Sequence, residues 1–221
     1  MIEITRALAR QLRAVLRKAA PLDSARSYRP SLALHAGPEG LQIRCHHAEV
    51  AAELHVPGPR PVDVIVLPHA ALDGLEARQE TLVTLAAKDA NVVQARWDDA
   101  GTPQSRDFGT VSFDRLPPFP VEPRKFVSLD KSVLKSFDDA VQTAGRNSVR
   151  PNLNRLQLRG KLGEIVSTDS RQLLVQRGFP FPWKEDILIP AVGLFGRREL
   201  PHDAAIAIGK SDTHVCLRIG P

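Results

Sequence analysis

The chain has 221 residues with 30 Lys and Arg against 25 Asp and Glu, a formal net charge of +5 and a pI near 9.6. Hydrophobic residues make up 43% and charged residues 25%, which is typical of a globular protein and argues against disorder. There is no run of roughly 18 to 20 apolar residues, and residues 1–4 lack the basic start of a signal peptide. We therefore expect a cytoplasmic protein with no membrane partner.

The first half of the chain is predicted to contain many strands and one long helix. Ile2 to Ile4 is a short strand, and Thr5 is a suitable N-cap for a helix that reaches Ala20 before Pro21. Strands separated by turn residues follow, with one short helix among them. The predicted bounds are Ser31 to Ala36, Gly40 to Cys45, Val50 to Val56, Val62 to Leu67, the helix Pro68 to Ala77, Thr81 to Ala86, Asn91 to Trp97 and Phe108 to Phe113.

The proline-rich stretch Leu116 to Pro123 is the best linker candidate, because consecutive prolines prevent helix formation and favour an extended chain. We predict two domains, residues 1–121 and 122–221. The second begins with strand Lys125 to Leu129 and a helix capped by Asp130, and has a later short helix from Pro190. Its other predicted strands are Asn152 to Arg159, Leu162 to Ser167, Gln172 to Arg177, Asp186 to Ile189, Ala204 to Ile208 and His214 to Ile219.

The two halves repeat one another at an offset of roughly 120 residues, as tandem copies of one domain would. The apolar helix positions Leu8, Leu12, Leu16 and Ala19 correspond to Val133, Phe137, Val141 and Ala144. Later strands correspond in the same order. Because long helices occur once per half, alternating βαβ units are improbable. The pattern predicts an α+β fold of mostly antiparallel sheets with helices on one face.

Four arginines lie on the first helix, away from its apolar side. At 100° per residue, Arg6, Arg10, Arg13 and Arg17 gather opposite Leu8, Leu12, Val15, Leu16 and Ala19. Two interpretations are open from the residues alone. The arginines form a contact surface for an anionic partner, or they form a solvated helix face that is rich in arginine.

The sequence favours a protein without enzymatic activity, metal or cofactor. Cys45 and Cys216 stand one in each half, so we expect no disulfide framework. His46, His47 and His214 lie near them, but no CxxC or HxxxH spacing is present. The chain also lacks a Gly-x-Ser-x-Gly elbow and a phosphate-binding glycine loop. An α+β enzyme with an unseen active site stays a weaker alternative.

Two segments of the second half carry a resemblance to a known family. Leu153 to Leu158, followed by Glu164 to Leu173, resembles the middle domain of the bacterial DNA polymerase III β sliding clamp. That family has a Thr-Asp-Gly turn and then a strand ending in Val/Ile-Pro before a short helix, which here match Ser167 to Leu173 and Ile187 to Leu194. The linker Leu116 to Pro120 also resembles the junction between its first two domains. The resemblance implies the processivity-clamp fold, in which helices face the centre of a ring and sheets form the rim.

The resemblance also implies a DNA-binding surface that contacts phosphates of duplex DNA without reading base sequence. The second helix would contribute less to it, because Asp138 lies among its basic residues. The predicted DNA-contacting set is Arg6, Arg10, Arg13, Arg17, Arg26, Arg29, Lys131, Lys135, Arg146, Arg150, Arg197 and Arg198.

A peptide groove beside the Thr-Asp turn is a further implication of the family. In clamps it receives short peptides from polymerases, clamp loaders and repair proteins, which anchor apolar side chains. Carried over by position, its wall here is Leu153, Thr168, Ser170, Arg171, Gln172 and Leu173. Ser170 replaces the usual glycine and Gln172 a usual arginine, so we expect a weakened or retuned groove.

The function implied is that of a non-enzymatic processivity factor, tethering polymerase or repair proteins to DNA. The alternative is a clamp-derived module that binds a clamp partner without encircling DNA. The family has three domains, and the repeat ends here before a counterpart of Phe108 to Phe113. We therefore expect a fragment or a shortened relative. Closed rings of this fold use six domains, so a complete two-domain chain would need to form a homotrimer.

Overall fold

A computed structural model of the chain describes residues 1–19, 30–47, 49–145 and 152–220. The described residues divide into two compact units, one formed mainly by residues up to Phe119 and one mainly by residues from Pro120. Each unit has its own cluster of buried apolar side chains. No helix in the described ranges is long and apolar enough to cross a membrane.

The first unit places its described strands in two antiparallel sheets. Their orders are β1-β6-β7-β8 and β4-β3-β2-β5. Leu32, Leu41, Leu67 and Leu85 are fully buried in its core. The elements are β1 Ile2–Thr5, α1 Arg6–Ala19, β2 Ser31–Gly37, β3 Gly40–His47, β4 Val50–Pro57, β5 Asp63–Pro68, α2 Ala71–Leu75, β6 Leu82–Asp89, β7 Val92–Asp99 and β8 Thr102–Gly109.

The second unit repeats this plan in shorter strands. Its sheets have the orders β12-β11-β10-β13 and β15-β14-β9, again antiparallel. Aligned by order, β9 corresponds to β1, β10 to β2 and α3 to α1. The elements are β9 Phe126–Leu129, α3 Val133–Thr143, β10 Arg155–Arg159, β11 Glu164–Thr168, β12 Leu173–Arg177, β13 Asp186–Pro190, β14 Ile206–Lys210 and β15 Val215–Ile219. The predicted α+β fold with mostly antiparallel sheets is confirmed.

The two long helices begin in different ways. The Oγ1 atom of Thr5 accepts a hydrogen bond from the Leu8 amide at 3.0 Å, so Thr5 caps α1 as predicted. The Asp130 carboxylate, three residues before the first residue of α3, instead accepts from the Ser132 amide at 2.9 Å. Asp130 therefore closes a turn that leads into α3 and is not itself the N-cap, which corrects the prediction.

The predicted strand Phe108 to Phe113 is wrong. A tight turn with positive φ at Ala100 (52°) and Gly101 (87°) ends β7, so β8 starts at Thr102 and is complete by Gly109. Alanine is not favoured in that conformation, which is why the turn was not evident from the sequence. Phe113 begins a 3₁₀ turn, Phe113–Arg115.

The predicted short helix after Pro190 is also wrong. Pro190 is the last residue of β13, and residues 193–196 form turns. The Arg197 amide donates to the Leu194 carbonyl at 3.0 Å, which is a turn bond rather than a helical one. Gly193 and Gly196 explain this, because two glycines within one helical turn cost roughly 2 kcal/mol of helix propensity.

The proline-rich segment after β8 lies along the face of the β4-β3-β2-β5 sheet that points away from the core. We call residues 112–119 the strap. The ring of Phe113 meets His35 edge-on at 5.0 Å, and Phe119 lies 5.0 Å from the Arg44 guanidinium. His46 Nδ1 donates to the Pro118 carbonyl at 2.8 Å. The strap is therefore fixed to the sheet and does not run as a free linker.

Candidate nucleic-acid and peptide interfaces

Arg6, at the start of α1, is held inside the first unit. Its Nε donates to the Leu75 carbonyl at 3.1 Å, and its guanidinium lies 3.6 Å from the Asp99 carboxylate. The guanidinium also lies 5.5 Å from the centre of the Trp97 ring. These contacts join α1 to the end of α2 and to β7. Arg6 therefore has a supporting role that the sequence pattern did not indicate.

Arg13 is neutralised by two carboxylates around α2. Its Nε contacts the Asp73 carboxylate, and its Nη1 lies 3.1 Å from Oε1 of Glu76. The hydrogen bond to Asp73 raises the pKa of Arg13 above its ordinary value. The local positive potential is reduced, because each carboxylate cancels charge close to the guanidinium.

Arg10 and Arg17 are the two exposed arginines of α1. Within the described residues neither side chain has an ion pair or hydrogen bond. They lie seven residues apart, about 10 Å along the helix axis, on one side of the helix. The predicted set of four on α1 thus divides into two held arginines and two exposed ones.

The basic residues of the second unit lie near acids. Lys135 pairs with Asp139 at 2.8 Å, which raises the pKa of Lys135. Lys131 is exposed beside Asp130. Arg197 contacts Glu199 at 3.0 Å, and Arg198 lies 3.8 Å from the same carboxylate. The remaining predicted positions, Arg26, Arg29, Arg146 and Arg150, lie outside the described residues.

The Thr-Asp turn joins β11 to β12 and is closed by its own side chains. Thr168 Oγ1 donates to the Gln172 carbonyl at 2.6 Å and accepts from the Ser170 amide at 3.0 Å. Oδ1 of Asp169 accepts from the amides of Arg171 and Gln172, both at 2.9 Å. These amide bonds, that of Gln172 first, lower the pKa of Asp169. The turn is thus held in one shape at neutral pH.

Ser170 has a left-handed backbone, with φ of +78°. This is the position where the resembled family has glycine, the residue that adopts positive φ without steric cost. The turn keeps the backbone shape that glycine favours while carrying a serine. Serine in place of the family's glycine therefore costs about 1 kcal/mol of local backbone strain. It does not change the shape of the turn.

The predicted groove wall spans three neighbouring strands. Thr168 and Leu173 are register partners on β11 and β12, and Leu173 is 67% exposed. Leu153 is half-buried just before β10, and its carbonyl accepts from the Gly145 amide at 2.7 Å. Because neighbouring strands are about 4.8 Å apart, the wall is roughly 10 Å wide. Arg171 and Gln172 are exposed at its rim.

Further exposed apolar side chains lie on the same face of the sheet as Leu173 and were missed in the sequence, with Gln157 of β10 between Val166 and Leu188. Val175 is 38% and Leu188 is 48% exposed, and the half-buried Val166 pairs with Val175 in register. The sequence does not show which side chains of β12 are exposed, because Leu173-Leu174-Val175 is apolar on both faces of the strand. Only the assembled sheet shows that Leu174 points to the core and its two neighbours away from it.

The cysteines and histidines of the described residues are not gathered into a metal site or a disulfide. No cluster of three or more His, Cys, Asp or Glu side chains in the described ranges is arranged to hold a metal ion. Burial raises the pKa of Cys45 to about 11, so its thiol stays protonated at neutral pH. Cys45 and Cys216 are not joined by a disulfide.

The arrangement of two like units, each built of two antiparallel sheets and one long helix, defines the DNA sliding-clamp fold. The match extends over nearly the whole chain. The DNA polymerase III β subunit of Pseudomonas aeruginosa superposes with a TM-score of 0.72 at 16% identity, covering 99% of this chain and 62% of that one. A β subunit from Eubacterium rectale gives 0.75 at 13% identity, covering 98% of this chain and 61% of that one.

A third structure similar to this chain is that of the Helicobacter pylori β clamp bound to a DNA ligase peptide. Its TM-score is 0.63 at 16% identity, with coverage of 98% of this chain and 64% of that one. The chain thus spans less than two thirds of the length of these clamps. No protein-family profile and no curated protein sequence matches it. The similarity therefore lies in the fold.

Proposed function

We propose that the chain is a non-enzymatic, clamp-like processivity factor that binds duplex DNA and tethers polymerase or repair proteins to it. The observation that supports this most directly is the tandem clamp fold over the whole chain. We take residues 1–121 and 122–221 as its two domains. Six such domains make a ring, so a protein made of two of them would close one as a homotrimer.

Exposed cations on α1 support the DNA-binding part of the proposal. Arg10 and Arg17 point outward on long side chains, and the chain carries a net charge of +5. Many weak phosphate contacts suit a protein that slides, because a deep sequence-specific minimum would stop it. Lys131 and Arg198 are also exposed and join the proposed contacts, as do the predicted basic positions outside the described residues.

The peptide-binding part rests on the wall formed by Leu153 and the turn Thr168 to Leu173. The Helicobacter pylori clamp binds a DNA ligase peptide. The exposed Leu173 offers an apolar anchor next to a rigid turn, which is the arrangement that captures an extended peptide. We propose that polymerase, clamp-loader or repair peptides bind there.

A second candidate function is a clamp-derived module that binds a partner peptide without encircling DNA. The observation that favours it is charge pairing. Arg6, Arg13 and Lys135 all lie beside carboxylates, which leaves few unopposed cations on the described helices. The same experiment separates the two functions.

The test compares retention on closed circular and linearised duplex DNA, with sedimentation in parallel. For a clamp we expect retention on circles, loss on linear ends, and a trimer. The double variant Arg10→Glu, Arg17→Glu should weaken binding and lower the slope of log K against log salt by about 2, since each lost phosphate contact removes roughly 0.9.

The matched control is Lys161→Glu, Lys184→Glu, which makes the same charge change at exposed sites on the β-sheet loops. It should leave retention on circles nearly intact. Equal retention on linear and circular DNA by a monomer would exclude encirclement and leave the peptide-binding module. Equal weakening by both double variants would show that α1 is not the contact surface.

A further inference from the structure

The second unit has a patch of aromatic and basic residues at the end of its sheet opposite the Thr-Asp turn. The turn between β10 and β11, residues 160–163, packs against the segment between β12 and β13, residues 178–185. The Phe179 amide, for example, donates to the Gly163 carbonyl at 3.1 Å. We call these two segments together the hairpin patch. The length of β11, roughly 15 Å, separates it from the Thr-Asp turn.

Three aromatic rings of the hairpin patch form a stack. The ring centres of Phe179 and Phe181 are 5.8 Å apart, and those of Phe181 and Trp183 are 5.0 Å apart, with angles of 22° and 8° between the ring planes. Pro180 and Pro182 fix the backbone φ angle between the rings. Phe179 and Phe181 pack against the second core but stay half-buried. The stack is therefore an ordered apolar surface that loses little entropy when a partner binds.

Trp183 has an unused hydrogen-bond donor inside the hairpin patch. Trp183 is 8% exposed, and within the described part of the chain its Nε1 atom has no hydrogen-bond partner. A Cβ atom at Gly160 would lie 2.6 Å from Cδ1, the ring carbon bonded to Nε1, so the donor lies beside the turn. A buried donor without an acceptor destabilises a fold, so an acceptor supplied by a partner would be favourable there.

Two exposed lysines flank the stack. The Lys161 amide donates to the Lys184 carbonyl at 3.0 Å, so the two residues are neighbours. Among residues 152–220, neither ammonium group has an ion pair. Three nearby acids already pair with other cations. These pairs are Glu164 with Arg177, Asp186 with Arg159, and Glu185 with Lys210. The hairpin patch thus has two unopposed positive charges, which favour an acidic partner.

The first unit shows that the fold does not require this arrangement. Its corresponding turn holds Pro38 and Glu39 between β2 and β3, and the corresponding segment, residues 58–62, contains no aromatic residue. The same backbone contact is present, because the Arg60 amide donates to the Gly37 carbonyl at 2.9 Å. The aromatic rings and lysines of the second unit are therefore not needed to join the turn to the segment.

We propose that the hairpin patch binds a short acidic segment of a partner protein through an apolar anchor. Leu162, at the tip of the turn, is 58% exposed and receives the anchor together with Phe179 and Phe181. Carboxylates on either side of the anchor pair with Lys161 and Lys184. Nucleic acid fits less well, because bases stack on open ring faces and both faces of Phe181 are already covered.

The test uses a fluorescein-labelled decapeptide that has a central Leu-Phe pair and four acidic residues on each side. In one control peptide Asn and Gln replace the acidic residues, and in another Ala-Ala replaces the central pair. Fluorescence anisotropy measures binding to the intact 221-residue chain without DNA, and hydrogen exchange locates it. The protein variant is Lys161→Glu with Lys184→Glu. Its matched control is Arg124→Glu with Lys125→Glu, at exposed positions of the same unit.

We expect saturable binding of the acidic peptide and gain of protection in residues 160–163 and 178–185. The amide peptide should bind about tenfold more weakly because two ion pairs are lost. The Ala-Ala peptide should also bind at least about tenfold more weakly, because its apolar anchor is missing. The variant at Lys161 and Lys184 should lose affinity, and the control variant should keep it.

Equal binding of the acidic and amide peptides, or protection elsewhere in the chain, would overturn the proposal without any variant of the protein having to fold. Tighter binding of a single-stranded oligothymidylate of equal charge at the same residues would also overturn it, because the occupant would then be a nucleic acid. Since no DNA is present in the peptide assay, its result is independent of the proposed DNA-tethering function.

Discussion

Ser170 is the residue whose backbone conformation is least suited to its side chain. Because φ is +78°, replacement by glycine should relieve the steric cost, while glycine loses some entropy on folding. We expect Ser170→Gly to stabilise the chain by a net ~0.5 kcal/mol in urea unfolding. Ser132→Gly is the control, because φ there is −61°. Equal effects of the two substitutions would show that φ is not the cause.

His35 provides a pH test of the strap. Burial, and then the nearby Arg44 charge, lower the pKa of His35 below its ordinary 6.5. The unfolded chain therefore takes up the proton near pH 6.5 while the folded chain does not. The contribution of neutral His35 to the free energy of unfolding is therefore complete above pH 6.5 and is lost as the pH falls below it.

The variant His35→Gln should lose less stability than the unchanged chain when the pH is lowered. Urea unfolding at pH 7.5 and at pH 5.5 measures it, with His202→Gln at an exposed position as control. If His35→Gln and His202→Gln leave the same pH dependence as the unchanged chain, the strap face is not responsible for it.

At the scale of elements, the contact between α1 and α2 limits how much positive charge α1 presents. Arg13 lies against Asp73 and Glu76, which follow from the position of α2 beside the helix. If the proposed function is right, Asp73→Asn with Glu76→Gln should strengthen DNA binding and steepen the salt dependence by about 1.

Filter binding at several salt concentrations measures this change. The control is Asp212→Asn with Glu80→Gln, which removes the same two charges at exposed positions outside the helices. A similar gain from the control would mean that net charge, rather than the release of Arg13, decides affinity. The partly exposed ion pairs of Arg13 with Asp73 and Glu76 should contribute less than about 1 kcal/mol to stability.

At the scale of the whole molecule, two separate cores predict two separate unfolding units. Each unit has one tryptophan, Trp97 in the first and Trp183 in the second. Leu85 is fully buried, so Leu85→Ala should destabilise the first unit by about 3 kcal/mol. We expect the Trp97 signal, read in a Trp183→Phe background, to shift to lower urea.

The Trp183 signal, read in a Trp97→Phe background, should stay where it was. The reciprocal variant Leu158→Ala lies in the second core and should move only the Trp183 signal. If either substitution moves both signals together, the chain unfolds as one cooperative unit and the separation of cores has no thermodynamic meaning.

The pattern of apolar and turn residues in the sequence was sufficient to predict the fold class, the internal repeat and most of the helices and strands. Apolar residues recur with the period of a helix or a strand, and that period follows from backbone geometry wherever one face is buried. Thr5 was identified as the α1 cap on the same local grounds, and its hydrogen bond to Leu8 confirms it. Two elements were predicted wrongly: β8, because the turn before it holds Ala100 in an unfavoured conformation, and the helix after Pro190, because Gly193 and Gly196 favour turns over helix.

Whether each candidate site residue is exposed or paired depends on the tertiary structure. A helical wheel places Arg6, Arg10, Arg13 and Arg17 together, but charge is cancelled by residues distant in sequence, as Asp73 lies 60 residues from Arg13. The shared face that exposes Leu173, Val175 and Leu188 likewise depends on which strands meet. Periodicity reports local burial, whereas ion pairing and strand partnership are long-range properties that arise only when the sheets assemble.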